Sequence, residues 1–280
     1  MGVFRVALCQ MRVCDDKEKN LNRAINMVSA AKDGKADIAV LPEMFLCPYD
    51  SKLFRAYAEE IPSGPSARAL AAVAKEQEIF LFAGSMPEFK NNKIYNTAAV
   101  FNQTGELVGL HQKMHLYDID APGEIVFRES DSLTAGGGIT IVETPFIKAG
   151  VEICYDMRFP ELSRILALGG AGMIIVPAAF NMVTGPAHWE ITIRTRALDN
   201  QVYICACAPA RDNDASYVSF ANSMIADPWG QIVSRAGNDE EIIFADIDTN
   251  RIDAVRKKLP LLKHLRRDLY EVKQLMENSK

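Results

Sequence analysis

The feature that most constrains this chain is an alternation of short, almost wholly apolar runs with longer segments of helical periodicity. The runs at 37–41 and 173–177 are apolar at nearly every position, which is typical of strands covered on both faces. In segments 17–32 and 65–77, apolar residues recur at the spacing of one helix face. The pattern predicts an α/β fold in which helices pack on sheets.

Turn-forming residues add antiparallel pairs to this pattern. One turn-rich tetrad separates the strand-like segments 95–101 and 106–112, and another separates 220–226 from 231–235. We therefore predict two hairpins, so that the sheets are not purely parallel. Further strands are predicted at 4–10, 79–84, 139–147, 148–153, 202–208 and 241–247, and further helices at 160–169, 188–201 and 249–258.

The domain organisation follows from length and linker composition. The chain has 280 residues, which leaves room for one large domain or two smaller ones. No segment is rich enough in Pro, Gly and Ser to act as a linker between domains. We therefore predict a single domain over 1–280, with a C-terminal extension that begins at about 249 and runs to 280.

Charge and hydropathy exclude several classes of partner. The net charge is −5 and no long run of one sign is present, which argues against nucleic acid. No apolar stretch reaches the roughly 18 residues of a membrane span, and the N-terminal segment lacks the pattern of a signal peptide. We therefore expect a cytoplasmic protein without membrane partners, in which the six cysteines remain thiols.

Two charged residues directly follow predicted strands, where function concentrates in α/β proteins. Glu43 comes after the run 37–41 and is either an acid at a strand end or a general base whose charged form is disfavoured by burial. Lys113 follows 106–112 and is either a solvated lysine or a fixed cation that stabilises an oxyanion. The residue types alone leave both alternatives open.

Cys154 lies between a predicted strand and a helix whose first turn contains Pro160 and Glu161. It is either a small buried thiol or a nucleophile on a strand-to-helix turn, where helix N–H groups lower a thiol pKa. Arg158 nearby adds positive potential or orients Asp156. A Glu, a Lys and a Cys at three strand ends, in this order, form a more specific pattern than any one of them.

Six longer segments carry motifs that are more specific still. They read KMHLYDIDAPG (113–123), ICYDMRFPEL (153–162), FNMVTGPAHWE (180–190), RALDNQVY (196–203), PARDNDASYV (209–218) and DPWGQIV (227–233). Together with the three strand-end residues, these segments resemble the carbon–nitrogen hydrolases of the nitrilase superfamily over essentially the whole chain. Within that superfamily the omega-amidase branch is the most similar.

The resemblance implies a four-layer α-β-β-α sandwich and an amidase with a cysteine nucleophile. By its motifs, Glu43 corresponds to the family's general base and Lys113 to its catalytic lysine. Cys154 corresponds to the nucleophile and Glu129 to the second glutamate, which orients Lys113 and Glu43 or positions water. The chain departs from the family at Ala135-Gly136, where Pro-Gly is usual, which removes a rigid turn and no reacting group.

The implied reaction is acyl transfer through a thioester. Lys113 and the backbone N–H of Tyr155 would hold the oxyanion, and Lys113 would help to keep Cys154 as a thiolate. The implied substrate is a small anionic amide, the monoamide of a short dicarboxylate such as 2-oxoglutaramate or 2-oxosuccinamate. The candidate residues for binding this anion are Phe45, Tyr49, His115, Arg158 and Thr184.

Several alternatives remain open at this level. His115 serves equally well as a hydrogen-bond partner behind the site, and Trp189 and His188 are expected to pack beneath the pocket, which the loop 45–54 borders. Deaminated glutathione and N-carbamoyl amines are alternative substrates, and a scaffold without turnover is the alternative to an enzyme. The histidine spacing matches no metal motif, so we expect neither metal nor cofactor. The resemblance also implies a homodimer.

Overall fold

The computed structural model describes residues 2–121 and 125–275. Its α-helices are α1 (Lys17–Asp33), α2 (Phe54–Tyr57), α3 (Pro65–Glu76), α4 (Pro160–Leu168), α5 (Gly185–Asn200) and α6 (Thr249–Lys258). Its strands are β1 (Val3–Gln10), β2 (Ile38–Val40), β3 (Phe80–Lys90), β4 (Lys93–Phe101), β5 (Leu107–Gln112), β6 (Asp118–Ala121), β7 (Ile125–Arg128), β8 (Thr140–Glu143), β9 (Lys148–Val151), β10 (Met173–Pro177), β11 (Tyr203–Cys207), β12 (Met224–Ala226), β13 (Ile232–Arg235) and β14 (Glu241–Asp248).

In the described residues, the strands form two six-stranded sheets and a separate two-stranded sheet of β6 and β7. The first sheet has the order β14-β1-β2-β3-β4-β5, and the second has the order β13-β12-β11-β10-β9-β8. In the first sheet β1, β2 and β3 are parallel neighbours, and in the second β9, β10 and β11 are. Antiparallel strands flank each parallel group, as the two predicted hairpins required.

Side chains of the first sheet alternate between two cores. In β1, Val6 and Leu8 belong to the core shared with the second sheet, whereas Ala7 and Cys9 belong to the core under α1 and α3. β2 and β3 divide their side chains in the same way. Because successive strand residues point to opposite faces, a run with an apolar residue at every position is needed to cover both cores.

Helices cover the outer face of each sheet. The apolar faces of α1 and α3 pack on the first sheet, and those of α4 and α5 pack with the strands of the second. Trp189 of α5 is fully buried against Phe180, and its indole N–H donates to the Asn222 carbonyl at 2.7 Å. The layers are therefore helix, sheet, sheet and helix, which confirms the expected sandwich.

Each predicted helix and strand has a counterpart, but several boundaries differ. β3 continues past its predicted end at Gly84, because the register shift around Gly84, whose φ is +45°, allows the strand to resume at Met86. A Cβ at Gly84 would lie 2.1 Å from the Pro42 carbonyl oxygen, so this bulge requires glycine. α5 begins at Gly185, before its predicted start, and Pro186 occupies its first turn.

Two strands were not predicted, and two parts of the predictions lie outside the described residues. β6 alternates charged with apolar residues and β7 has three apolar residues before Arg128, and both segments are too short to give a clear period. The motif residues 122–123 and the last five residues of the predicted extension, 276–280, are not described. Within the described part, residues 259–275 contain no helix or strand, and no helix is long and apolar enough to cross a bilayer.

Candidate active site

Cys154 occupies the turn between β9 and α4. Its φ is +47°, a left-handed backbone conformation that costs a residue other than glycine about 1–3 kcal/mol. Cys154 begins the 3₁₀ turn Cys154–Arg158, and Pro160 then begins α4. Only 7% of the residue is exposed. The predicted strand-to-helix turn is thus present, and it places a buried thiol at the carboxyl end of the parallel strands of the second sheet.

Glu43 lies just beyond the carboxyl end of β2 and is buried. Its Oε1 accepts hydrogen bonds from Tyr49 Oη at 3.1 Å, Asn96 Nδ2 at 2.9 Å and Lys113 Nζ at 3.0 Å. Its Oε2 has no hydrogen-bond partner among the described residues. Burial raises the pKa of Glu43, and the charge of Lys113 opposes this only in part. One carboxylate oxygen is therefore anchored while the other is free to accept a proton.

Lys113 follows β5 and is fully buried. Its Nζ lies 2.9 Å from Glu129 Oε1, in addition to its contact with Glu43. Its backbone is fixed on both sides, because its N–H donates to the Asn96 carbonyl at 2.8 Å and its carbonyl accepts from Gly136 N–H at 2.8 Å. Burial alone would lower the pKa of Lys113, but the charges of Glu129 and Glu43 raise it above its usual value.

Glu129 is the second carboxylate in contact with Lys113. Its Oε1 accepts from Tyr49 Oη at 2.5 Å as well as from Lys113, and its Oε2 accepts from Tyr117 N–H at 2.7 Å. Glu129 thus contacts Lys113 directly, and its role in orienting this residue stays a prediction. The departure at Ala135-Gly136 keeps the residue that matters for geometry, because a Cβ at Gly136 would lie 2.1 Å from the Gln112 carbonyl oxygen.

The charges around Cys154 favour its protonated form. Burial raises the pKa of the Cys154 thiol well above its usual value, and the Glu43 carboxylate raises it further. The Lys113 ammonium lowers this pKa without outweighing the other two causes. Lys113 thus favours the thiolate, as expected, whereas burial and Glu43 favour the protonated thiol in the unliganded site. The thiol therefore needs a base at the moment of attack, and Glu43, whose charge acts on the thiol, is the candidate.

Two cavities adjoin at the side chains of Tyr49, Ala179 and Tyr217, which line both. The larger cavity, of about 500 Å³, is lined by Glu43 and by the predicted pocket loop at 47–49. The smaller cavity, of about 240 Å³, contains Cys154. The reacting thiol thus faces the smaller of the two spaces.

Four of the predicted binding residues line the smaller cavity. They are Tyr49, Tyr155, Arg158 and Thr184. The Arg158 guanidinium lies 4.6 Å from the ring centroid of Phe180, and its Nη1 lies 3.1 Å from Nδ1 of His188. These contacts hold a cation at the wall of the cavity. His188 is exposed, so only Trp189 of this expected pair packs beneath the pocket.

Two predicted binding residues lie elsewhere. Phe45 is fully buried in the core between the first sheet and its helices, and it lines neither cavity. His115 stacks on Phe159 with ring centroids 3.8 Å apart, and its Nδ1 lies 2.8 Å from Asp156 Oδ1. His115 is thus a hydrogen-bond partner behind the site. Asp156 accepts hydrogen bonds from His111 and His115 and not from Arg158.

Four residues of the site were not predicted individually. Asn96 holds Glu43, Tyr117 holds Glu129, Asn181 Nδ2 donates to Tyr117 Oη at 3.2 Å, and the Tyr217 ring lies 4.7 Å from that of Tyr49. Asn96 had a signal of its own, because an amide inside the apolar strand 95–101 needs a buried partner. The other three lie in the motif segments without a feature that distinguishes them.

The groups at this site can perform nucleophilic acyl transfer. A buried thiol, an adjacent carboxylate oxygen without a partner and a fixed ammonium supply a nucleophile, a base and a positive charge for an oxyanion. Within residues 2–121 and 125–275, no group of three His, Cys, Asp or Glu side chains is arranged to hold a metal ion.

Comparison with known proteins gives the same assignment. The sequence model of the family described as carbon-nitrogen hydrolase matches residues 5–257. The proteins named omega-amidase NIT2 of Mus musculus and Homo sapiens are 47% and 45% identical over 272 residues, which cover 97% of this chain and 98% of each relative. The crystal structure of Saccharomyces cerevisiae Nit3, a member of branch 10 of the nitrilase superfamily, is 40% identical with a TM-score of 0.87 and covers 95% of this chain and 97% of that one.

The four-layer sandwich, with its buried cysteine, lysine and glutamates, defines a hydrolase of the nitrilase superfamily. Because the family model spans most of its length, the chain belongs to the carbon–nitrogen hydrolases. The resemblance drawn from the sequence motifs is thereby confirmed.

Proposed function

We propose that this protein is an omega-amidase, which hydrolyses the terminal amide of a short dicarboxylate monoamide to the 2-oxo diacid and ammonia. The proposed substrates are 2-oxoglutaramate and 2-oxosuccinamate. Relatives named omega-amidase that match nearly the full chain support the proposal. The observation that carries it is the single small cavity in which the Cys154 thiol and the Arg158 guanidinium face the same space.

The cavity offers a cation for the free carboxylate of such a substrate. A guanidinium binds a carboxylate through two parallel hydrogen bonds, and Arg158 is the cation among the cavity-lining residues. Asn181 Oδ1 accepts a hydrogen bond from the Thr184 hydroxyl at 3.1 Å, which fixes another part of the cavity wall. An amide with a second, anionic end would therefore lie with its carboxylate at Arg158 and its amide carbon at Cys154.

Acylation begins when Glu43 takes the thiol proton through its free Oε2. The sulfur attacks the amide carbon. The Lys113 ammonium and the Tyr155 N–H stabilise the negative charge that develops on the amide oxygen. Each well-placed donor of this kind contributes on the order of 3 kcal/mol to lowering the barrier. Glu43 then returns the proton to the amide nitrogen, the C–N bond breaks, and ammonia leaves a thioester on Cys154.

Deacylation repeats these steps with water as the nucleophile. Glu43 takes a proton from water, and the resulting hydroxide attacks the thioester carbon under the same two donors. When the C–S bond breaks, Glu43 returns the proton to the sulfur and the second carboxylate is released. Glu129 and Tyr49 move no proton in this scheme, and they keep Lys113 and Glu43 in place.

The size of the cavity favours a short substrate over the alternatives. Aromatic residues Tyr117, Tyr155, Phe180 and Tyr217 line this narrow space. A tripeptide-like amide such as deaminated glutathione needs a wider cavity entrance. An N-carbamoyl amine whose amine part is neutral has no carboxylate for Arg158 to bind. The order of activity we propose is therefore dicarboxylate monoamide first, then these two classes.

Ammonia release from a panel of amides tests the proposal. The panel contains 2-oxoglutaramate, 2-oxosuccinamate, deaminated glutathione and N-carbamoyl amines, and Cys154→Ala serves as the inactive variant. Cys14→Ala is the matched control, because Cys14 is a partly exposed thiol near the start of α1 and lines neither cavity. Equal release by Cys154→Ala would overturn the nucleophile, and a preference for deaminated glutathione would overturn the omega-amidase assignment.

The organisation of the protein is part of the same proposal. We infer a single domain with a C-terminal extension, a homodimer and a cytoplasmic location, and the near full-length match to relatives of this one family supports the first of these. The homodimer rests on the family resemblance. Sedimentation at working concentration tests it, because a mass near 31.0 kDa would show a monomer.

A further inference from the structure

Asp156 connects the segment that carries Lys113 with the turn that carries Cys154. Its carboxylate is fully buried. From the Lys113 segment it accepts three hydrogen bonds: His111 Nε2 at 3.1 Å, His115 N–H at 2.9 Å and His115 Nδ1 at 2.8 Å. An ionised carboxylate can only accept hydrogen bonds. Nε2 of His111 and Nδ1 of His115 therefore each carry a hydrogen atom.

The same carboxylate is tied to its own turn. Asp156 Oδ2 accepts from Ile153 N–H at 3.1 Å, and Asp156 N–H donates to the Ile153 carbonyl at 3.0 Å. These two contacts enclose Cys154. Burial alone would raise the pKa of Asp156. The hydrogen bonds from His111 and His115 nevertheless hold this pKa below its usual range, so the carboxylate stays ionised.

We propose that Asp156 is a positioning residue that sets the place of Lys113 relative to Cys154, with His111 and His115 as its contacts. The inference rests on the proposed function, in which Lys113 stabilises an oxyanion formed at Cys154. Asp156 touches neither substrate nor the reacting atoms in this proposal. It acts on the reaction only through the backbone positions of the two segments.

The need for such a connection follows from the fold. Lys113 follows a strand of the first sheet, and Cys154 follows a strand of the second. His111 and His115 lie two residues before and after Lys113, so Asp156 holds the lysine segment on both sides of the reacting residue. A displacement of about 1 Å between reacting groups can cost roughly 100-fold in rate. A buried contact between the two segments, separate from the reacting side chains, keeps this displacement small throughout the reaction.

His115 allows the hydrogen bond to be separated from packing, because its side chain is 30% exposed and its ring stacks on Phe159. His115→Phe keeps the stacking and removes the side-chain donor to Asp156, while the backbone N–H donor remains. His115→Asn removes the stacking and keeps a donor close to the position of Nδ1. We expect kcat for 2-oxoglutaramate to fall at least about tenfold in the Phe variant, with KM within about twofold, and to be largely retained in the Asn variant.

Asp156→Asn and Glu152→Gln form a matched pair. Both residues have fully buried carboxyl groups within two residues of Cys154, but Glu152 accepts a hydrogen bond from Ser163 at 2.6 Å and has no hydrogen bond to the Lys113 segment. We expect Asp156→Asn to reduce kcat at least about tenfold and Glu152→Gln to leave it within about twofold. Equal losses in both would show a general dependence on packing around the turn and would overturn the positioning role.

The rate at which iodoacetamide alkylates Cys154 separates this inference from the proposed function. If no amide of the panel is hydrolysed, the proposed function fails, but the alkylation rates of the same variants still decide the positioning role. We expect slower alkylation in His115→Phe and in Asp156→Asn than in the unsubstituted protein, His115→Asn and Glu152→Gln. Equal alkylation and equal kcat for His115→Phe and His115→Asn would overturn the proposal.

Discussion

The Oε1 atom of Glu43 lies 3.0 Å from Nζ of Lys113, and neither side chain has any exposed surface. A second carboxylate, Glu129, lies 2.9 Å from the same ammonium. Two buried carboxyl groups therefore contact one ammonium group before any substrate binds. Because burying charges is costly, the ionisation states of Glu43 and Lys113 depend on each other and on the charge of Glu129.

Lys113→Met should therefore impair both stability and activity. Removing one partner of a buried ion pair costs about 3–5 kcal/mol of unfolding free energy, because the remaining charge is left uncompensated. Loss of an oxyanion donor lowers kcat by about 10²–10³-fold. Urea unfolding and ammonia release measure the two effects. Lys148→Met is the control, because Lys148 forms an exposed pair with Glu143 and should be nearly neutral.

A double variant tests whether the groups act as a unit. Glu43→Gln in the Lys113→Met background removes one of the two unpaired acids, so we expect it to restore part of the lost stability. Coupled residues of this kind show interaction free energies of about 0.5–3 kcal/mol. Strictly additive losses in urea unfolding would contradict the shared charge arrangement.

The midpoint of the acidic limb of the pH–activity profile should lie at a higher pH than the usual pKa of a glutamate side chain. Glu43 acts as a base only when ionised, and burial raises its pKa, so activity is lost on acidification earlier than for an exposed carboxylate. The charge of Glu129 also raises the pKa of Glu43. Glu129→Gln should therefore lower kcat but move this limb to lower pH. A limb that does not move, measured by kcat/KM against pH, would assign it to another group.

Glu152 should make the fold less stable as pH rises. Burial raises the pKa of Glu152 from 4.5 to about 8, so the folded chain keeps a proton that the unfolded chain has lost. Between these two values unfolding releases this proton, and its contribution to stability declines with increasing pH. Glu152→Gln keeps an acceptor for the Ser163 hydroxyl and cannot ionise. We expect the variant to gain stability relative to the unsubstituted protein across this window, as measured by urea unfolding at several pH values.

Arg158→Met should change substrate choice more than turnover. A hydrogen bond to a charged group contributes about 1.5–3 kcal/mol, so KM for 2-oxoglutaramate should rise by roughly 10–100-fold. A neutral aliphatic amide has no carboxylate for Arg158 to bind, so its kcat/KM should stay within about twofold of that of the unsubstituted protein. Arg5→Met is the control, because Arg5 pairs with Asp246 at the surface. A similar loss for both substrates would contradict carboxylate binding by Arg158.

The sequence was most informative where an apolar run ends in a reactive residue. Glu43, Lys113 and Cys154 each follow a strand, and the structure brings the three together because the carboxyl ends of β2 and β9 and the end of β5 meet. Strand ends can be identified from periodicity, and the family motifs supplied Glu129. The layers of the sandwich came from the resemblance and not from the apolar pattern, which gave only the α/β class.

Side-chain direction in loops could not be predicted in the same way. Phe45 and Tyr49 lie four residues apart in one loop, yet the first enters the core and the second reaches Glu43 and Glu129. No periodicity applies to a loop, so the sequence could not distinguish these directions. His115 was ambiguous for another reason, because its role depends on Asp156, which is distant in the sequence.

The division of β2 between two cores limits how this enzyme can change over evolution or in engineering. Inserting or deleting one residue within Ile38–Val40 would exchange the side chains that face the two cores and would also turn Glu43 away from Lys113. The length of this strand is thus set by packing on both faces and by the position of the base. Substitutions in the cavity walls can alter substrate choice, whereas changes in length are tolerated only in places such as 259–275, outside the strands and helices.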